Sequence, residues 1–317
     1  MAPVPGARVR RALLSALVAL AATAPAAARA QRVHVLVVSG LAGEPRYRAA
    51  FEQTAAALAD SARRRWGVAD SSLIVLAEDT LRVRGARRST REELGRSFVR
   101  LSQRVAPGDV LLVFLQGHGS GEGPGSRVSL PGPDATAADF AGWLAGFARQ
   151  TVVFVNAASG SGDFVAALAG PRRVVVTATR TAMERNETTF GAPFVRALTG
   201  SEADADKDGR VSVLEAFAVA RKEVERAYEA DNRMLTEHAV VSDTTLARTV
   251  TFGGARAGTD PRVAALVAER QALESQVAAL RARKDSLDPA AYDRELERLL
   301  VAIAEKTQAI RAGSAAP

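Results

Sequence analysis

Short, nearly continuous apolar runs alternate with amphipathic stretches through the first two thirds of the chain. Runs at Val33–Ser39 and at 73–76, 110–115, 152–155 and 173–179 are rich in Val, Leu and Phe, as strands covered on both faces are. Helical periodicity fills the gaps. Residues 47–65 place Ala50, Phe51, Thr54, Leu58 and Ala62 on one face. Ser89-Thr90-Arg91-Glu92-Glu93 has the spacing of a capping box opening a helix to about residue 104. Further helices are expected over 136–148, 164–168, 193–198 and 213–231, a short hairpin strand near 127–130, and a last strand at 249–252. This cadence predicts an α/β domain with a mostly parallel sheet of about five or six strands and helices on both faces.

The pattern changes after residue 253. Gly253-Gly254-Ala255-Arg256-Ala257-Gly258-Thr259 has the composition of a linker, and helix formers follow. Leu266, Leu273, Val277 and Leu280 recur at three-to-four spacing. Asp288-Pro289 then opens a second helix carrying Leu296, Leu299, Leu300, Ile303 and Ile310. The short connection predicts an antiparallel, coiled-coil-like hairpin with Leu266, Leu273 and Leu280 facing Leu299, Ile303 and Ile310. One apolar stripe per helix seldom sustains a free hairpin, so it is expected to dock on the main domain, on a second copy, giving a homo-oligomer, or on a partner. A solvated extension is the plainer alternative.

Composition adds a targeting signal and removes some functions. Arg8, Arg10 and Arg11 precede a short apolar stretch at 12–20, and Ala28-Arg29-Ala30 supplies a small-x-small cleavage pattern. Residues 1–30 therefore read as a secretory signal, with export to the periplasm or exterior expected. The apolar stretch is shorter than the roughly 20 residues a spanning helix needs, although retention as an anchor is the alternative, and no later segment is apolar enough to span. Losing four arginines and no acids lowers the formal net charge of +7 to about +3, and no basic patch interleaved with aromatics suggests nucleic acid. The chain has no cysteine, so no disulfide supports it outside the cell. The expected organisation is a signal at 1–30, an α/β domain at 31–255 and a linker with hairpin at 256–317.

Gly117-His118-Gly119 follows the run at 110–115, and Asn156-Ala157-Ala158-Ser159-Gly160-Ser161 follows the next run. Adjacent parallel strands would bring both loops to one sheet edge, where α/β active sites form. These residues resemble the caspase-like superfamily of cysteine peptidases, which includes legumains, metacaspases and gingipains, over roughly residues 33–200. The resemblance implies that His118 stands at the general-base position and lays the family's Cys-x-Ser-Gly on Ala157-Ala158-Ser159-Gly160. Ala157 then occupies the nucleophile position, and residues 174–190 resemble the stretch bordering the specificity pocket. A methyl group cannot attack a carbonyl as a thiolate does. The resemblance thus implies a pseudoenzyme whose cleft at 117–162 binds peptide. Ser159 or Ser161 paired with His118 is the hydrolase alternative. His34 and His238 lack metal-ligand spacing with His118.

Asp204-Ala205-Asp206-Lys207-Asp208-Gly209-Arg210-Val211-Ser212-Val213-Leu214-Glu215 fits the twelve-residue EF-hand loop at every ligand position. Asp204, Asp206 and Asp208 would give single oxygens, Arg210 its carbonyl, Ser212 a hydroxyl or a bridged water, and Glu215 both carboxylate oxygens. Calcium is the ion this set favours, with Mg²⁺ the weaker candidate, and an acidic loop capping a helix is the plain alternative. EF-hand sensors usually work in pairs, so a single loop is expected to act as a structural clip.

Overall fold

The computed structural model describes residues 31–253 and 261–314. The expected signal at 1–30 and most of the linker lie outside them. Seven strands form one sheet: β1 (Val33–Ser39), β2 (Leu73–Ala77), β3 (Arg87–Arg88), β4 (Val110–Gln116), β8 (Thr151–Asn156), β9 (Arg173–Thr177) and β10 (Val240–Val241), in the order β10-β9-β8-β4-β1-β2-β3. All neighbours are parallel except β10 with β9. The sheet is α/β and mostly parallel, as its apolar runs imply. Its far edge is β3, whose two arginines are both exposed, which blunts pairing with another chain.

Strand alternation divides the core in two. Val35 and Val37 join one cluster with Leu58 and Ala62 of α1 (Pro45–Arg64), Phe194 of α5 (Gly191–Thr199) and Phe217 of α6 (Val213–Ala230). Leu36 and Val38 face the other way, with Phe98 of α2 (Arg91–Ser102), Phe140 of α3 (Ala137–Leu144) and Phe164 of α4 (Phe164–Leu168). Helices therefore cover both faces. Ala50 does not join the buried side of α1. The first turns of α1 lie at the rim of the sheet, beyond the strands.

Two local expectations are corrected. Residues 249–252 form no strand. Asp243 accepts the Leu246 N–H and caps a short helix α7 (Thr244–Thr249), leaving one antiparallel bridge from Thr251 to Ser212. Residues 127–130 do contribute β6 (Arg127–Val128), but within a small antiparallel sheet with β5 (Gly119–Ser120) and β7 (Ala135–Thr136).

The C-terminal hairpin is present as α8 (Pro261–Ala282) and α9 (Pro289–Ser314). Asp288 accepts the Ala291 N–H at the second start. The apolar contact keeps Leu266, Leu299 and Ile310 of the expected pairing but is centred on Val263 and Val267. Val263, Val267 and Ile310 form the buried cluster, with Leu266 packed against it and Val277 and Leu299 also buried.

At α2 an acid-sensitive knot ties helix to sheet edge. Glu93 Oε1 accepts from Arg100 at 2.6 Å and Arg87 at 3.1 Å, and Oε2 from Arg96 at 2.9 Å. Burial pushes the Glu93 carboxyl up, but the three guanidinium groups outweigh it and hold it at about 2, against an ordinary 4.5. Asp139, bonded by Arg91 and by the Thr136 cap, is likewise held at about 2, against an ordinary 3.8. Groups depressed on folding stabilise fully above their unfolded values and lose that contribution as pH falls through the folded ones. Through these two groups, denaturant midpoints are expected to fall between about pH 4.5 and 2. Glu93→Gln should flatten that fall.

Candidate functional site: the His118 rim and the acidic loop

The register places the two motif loops together. Leu115 pairs with Asn156 across β4 and β8, and Ala157 N–H donates to Leu115 O at 2.7 Å. His118 and Ala157 therefore stand at the same end of neighbouring central strands. Gly119 permits the approach. A Cβ there would meet Ser159 O at 2.4 Å and Arg127 O at 2.9 Å, so a side chain would push the His118 loop away from the Ser159 loop.

His118 is half-buried. Its Nε2 lies 3.1 Å from Ala42 O. A carbonyl only accepts, so Nε2 carries the proton, and in the neutral ring Nδ1 is the basic nitrogen. Glu78 holds Ala42 by accepting its N–H at 3.1 Å, and Glu78 is itself paired with Arg48 at 3.2 Å. Tyr47 stands edge-on to the imidazole, with ring centroids 5.2 Å apart, and Phe51 lies 5.9 Å away. The orienting partner of His118 is thus a backbone carbonyl, which no pattern of residue types reveals.

Neither serine is hydrogen-bonded to His118. Ser159 Oγ accepts the Gly119 N–H at 3.1 Å. Ser161 Oγ lies 3.1 Å from Thr179 Oγ1 and accepts the Thr179 N–H at 3.3 Å. Both hydroxyls stitch loops together, and both residues are almost fully buried. Ala157 is 3% exposed. A Cβ built on Gly191 would come within 3.2 Å of its methyl, and its carbonyl accepts from Thr188 Oγ1 at 2.6 Å.

The loop after β9 completes the rim. Glu184 O accepts the Gly160 N–H at 2.8 Å, while its carboxylate receives Arg180 N–H and binds His238. Glu237 accepts the N–H groups of Thr189 and Phe190, both at 2.8 Å, and burial pushes its carboxyl up. His34 is buried far from this edge, 3.3 Å from Asp109. Burial lowers its pKa. Both other histidines are structural.

The acidic loop enters α6. Asp204, Asp206 and Asp208 each offer a carboxylate oxygen, all within 4.8 Å of one another. Gly209 turns the chain at φ +81°, in the left-handed region a side chain would strain. Its N–H and that of Asp208 donate to Asp204, at 3.0 and 3.1 Å. Glu215 does not join the three carboxylates and binds backbone N–H groups of the loop instead. Its Oε1 accepts from Ala205 and Asp206 N–H, and its Oε2 from Ser212 N–H and Oγ. Ser212 and Glu215 thereby form a capping box on α6, and Arg210 donates its N–H to Asp208 Oδ1 at 2.8 Å. The three aspartates fit the oxygen donor set of Ca²⁺ or Mg²⁺, while Ser212 and Glu215 fit the helix cap. Burial, and next the Asp206 charge, push the Asp208 carboxyl up to about 6.

One group here escaped the sequence pattern. Arg270 of α8 is buried against the aspartates, its Nη1 donating to Asp206 Oδ2 at 2.5 Å and its Nη2 to Asp208 Oδ2. Among 42 lysines and arginines nothing local distinguishes it. No helix among the described residues is long and apolar enough to cross a membrane.

No family model matches the chain, and no curated protein matches it. Among solved structures it is similar to a structural-genomics protein from Geobacter sulfurreducens, at a TM-score of 0.44 and 12% identity, covering 73% of this chain and 96% of that one. So distant a likeness carries nothing about activity.

Proposed function

We propose that the chain is an exported, non-catalytic relative of caspase-like peptidases, stabilised by calcium, whose His118 rim binds peptide or serves assembly. The observation that carries this is Ala157. A buried methyl stands where the resemblance puts the nucleophile, on the strand next to that of His118, whose ring bonds to Ala42 O and to neither nearby serine. A general base without a hydroxyl or thiol in reach has nothing to activate. A parallel-strand edge with exposed Met183 and Arg180 on its border still offers contacts to an extended ligand. Export rests on the residue pattern at 1–30, and calcium on the three converging aspartates.

The test is a peptide library incubated with the wild type and with Ala157→Cys. The wild type is expected to retain some peptides intact. Ala157→Cys is expected to gain no robust cleavage, because the position is buried against Gly191 and one missing oxyanion donor alone costs about 10²–10³ in rate. Appreciable cleavage by the mutant, abolished by a thiol alkylator, would mean that a complete peptidase site persists.

A further inference from the structure

We propose that Arg270 is a built-in rival of the metal ion, latching the C-terminal hairpin onto the acidic loop so that calcium binding releases the hairpin. The inference rests on calcium being the ion of that loop.

The contested atoms are specific. Asp206 Oδ1 accepts the Asp208 N–H, and Asp208 Oδ1 accepts the Arg210 N–H, so each aspartate spends one oxygen inside the loop. The other oxygen of each, Oδ2, is held by Arg270. A calcium ion needs such oxygens at about 2.3–2.6 Å, a space that guanidinium N–H groups at hydrogen-bond distance already fill. The guanidinium arrives from 62 and 64 residues away in sequence and is 6% exposed. Its Nε is buried without a hydrogen-bond partner, 3.5 Å from Glu274 Oε1. With an ion seated, Arg270 would be a buried cation facing another cation and stripped of its two carboxylate partners, an arrangement that favours movement of the helix away from the loop.

The charge balance favours the ion. Asp206, Asp208 and Glu274 surround the one guanidinium, and Asp204 converges on the two loop aspartates behind them. Arg248 of α7 acts on Glu274 as well, and Lys207 lies within the loop sequence itself. A divalent ion offsets more of this charge than Arg270 does.

Two other features of the described residues bear on how the hairpin is held. Its buried cluster, Val263, Val267 and Ile310, is separate from both clusters of the sheet domain, so the two helices can move as a unit. Arg281 donates to Thr245 Oγ1 at 2.9 Å. Beside that contact a cavity of about 300 Å³ runs along the seam, between Thr249 of α7 and Val277 and Leu300 of the hairpin. Across that gap the seam is loosely packed, while Arg270 is a buried link between hairpin and loop.

Hydrogen exchange of α8 in the full chain, in chelator and in Ca²⁺, reads the latch without any mutation. Calorimetry with Ca²⁺ on the wild type and on Arg270→Gln reads the competition. Calcium is expected to speed exchange across 261–282, and Arg270→Gln to bind Ca²⁺ about ten- to hundredfold more tightly, its hairpin exchanging fast with or without the ion. Binding by Arg270→Gln alone would support the latch in its strongest form. If the wild type binds Ca²⁺ while α8 stays equally protected, or Arg270→Gln binds no more tightly, the latch is wrong and the calcium site stands. If neither protein binds Ca²⁺, the calcium assignment falls and the latch with it. Should Arg270→Gln fail to fold, wild-type exchange alone decides.

Discussion

Calcium at a hundredfold excess over its Kd is expected to raise the wild-type melting temperature by roughly 5–10 °C, and chelation to reverse the rise. An ion bound only by the folded state adds RT ln(1 + [L]/Kd), about 2.7 kcal/mol at that excess, and each kcal/mol moves Tm by roughly 2–4 °C in a chain approaching this size. Glu215→Gln is expected to lose most of the calcium effect, because ion binding by the twelve-residue loop would draw Glu215 from the cap to give both its oxygens. It should also lower the metal-free Tm by a few degrees, which charge repulsion alone would not suggest. Glu215 accepts from Ala205 and Asp206 with one oxygen and from Ser212 with the other. An amide can keep only one of these sets, and losing a cap costs about 1 kcal/mol. Scanning calorimetry of both proteins in chelator and in calcium checks this. A wild-type curve unmoved by millimolar calcium would reduce the loop to a helix cap.

Phe140→Ala is expected to cost about 3–5 kcal/mol, read as a lower denaturant midpoint. Phe140 is fully buried. Its ring lies 5.2 Å from Phe154 of β8, 5.8 Å from Phe164 of α4, 6.1 Å from Phe98 of α2 and 5.1 Å from Trp143. One side chain thus joins three helices to the strand that leads into Ala157. The hole has little means of closing, because Phe154 is fixed in a central strand and the start of α3 is pinned by the Thr136–Asp139 capping box. A loss below about 1 kcal/mol would mean that this face repacks freely.

The parallel sheet was legible because strands covered on both faces need uninterrupted apolar runs. Val33–Ser39 is a strand with the same limits in sequence and structure. Short elements were not. Val240–Val241 is only two residues long, and its pairing with β9 is a tertiary event with no local pattern. The hairpin was legible as two helices, and its buried stripe only in part. The residues most buried on α8 include Val263, Val267, Arg270 and Val277, and a hydrophobic count passes over a stripe with an arginine at its centre. At the sheet edge, the spacing put His118 and Ala157 at the same end of neighbouring strands. The bond to Ala42 O is invisible in residue types, because a carbonyl belongs to every residue. The three aspartates converge as the loop pattern required, whereas Glu215 serves the cap of α6.

Fluorophosphonate labelling of the wild type, His118→Ala, Ser159→Ala and Ser161→Ala tests the absence of catalysis most directly, since a serine activated by His118 reacts irreversibly with that probe. All four proteins are expected to stay at the level of a heat-denatured control. Labelling of the wild type that vanishes in His118→Ala and in one serine variant would establish a working hydrolase and contradict the assignment.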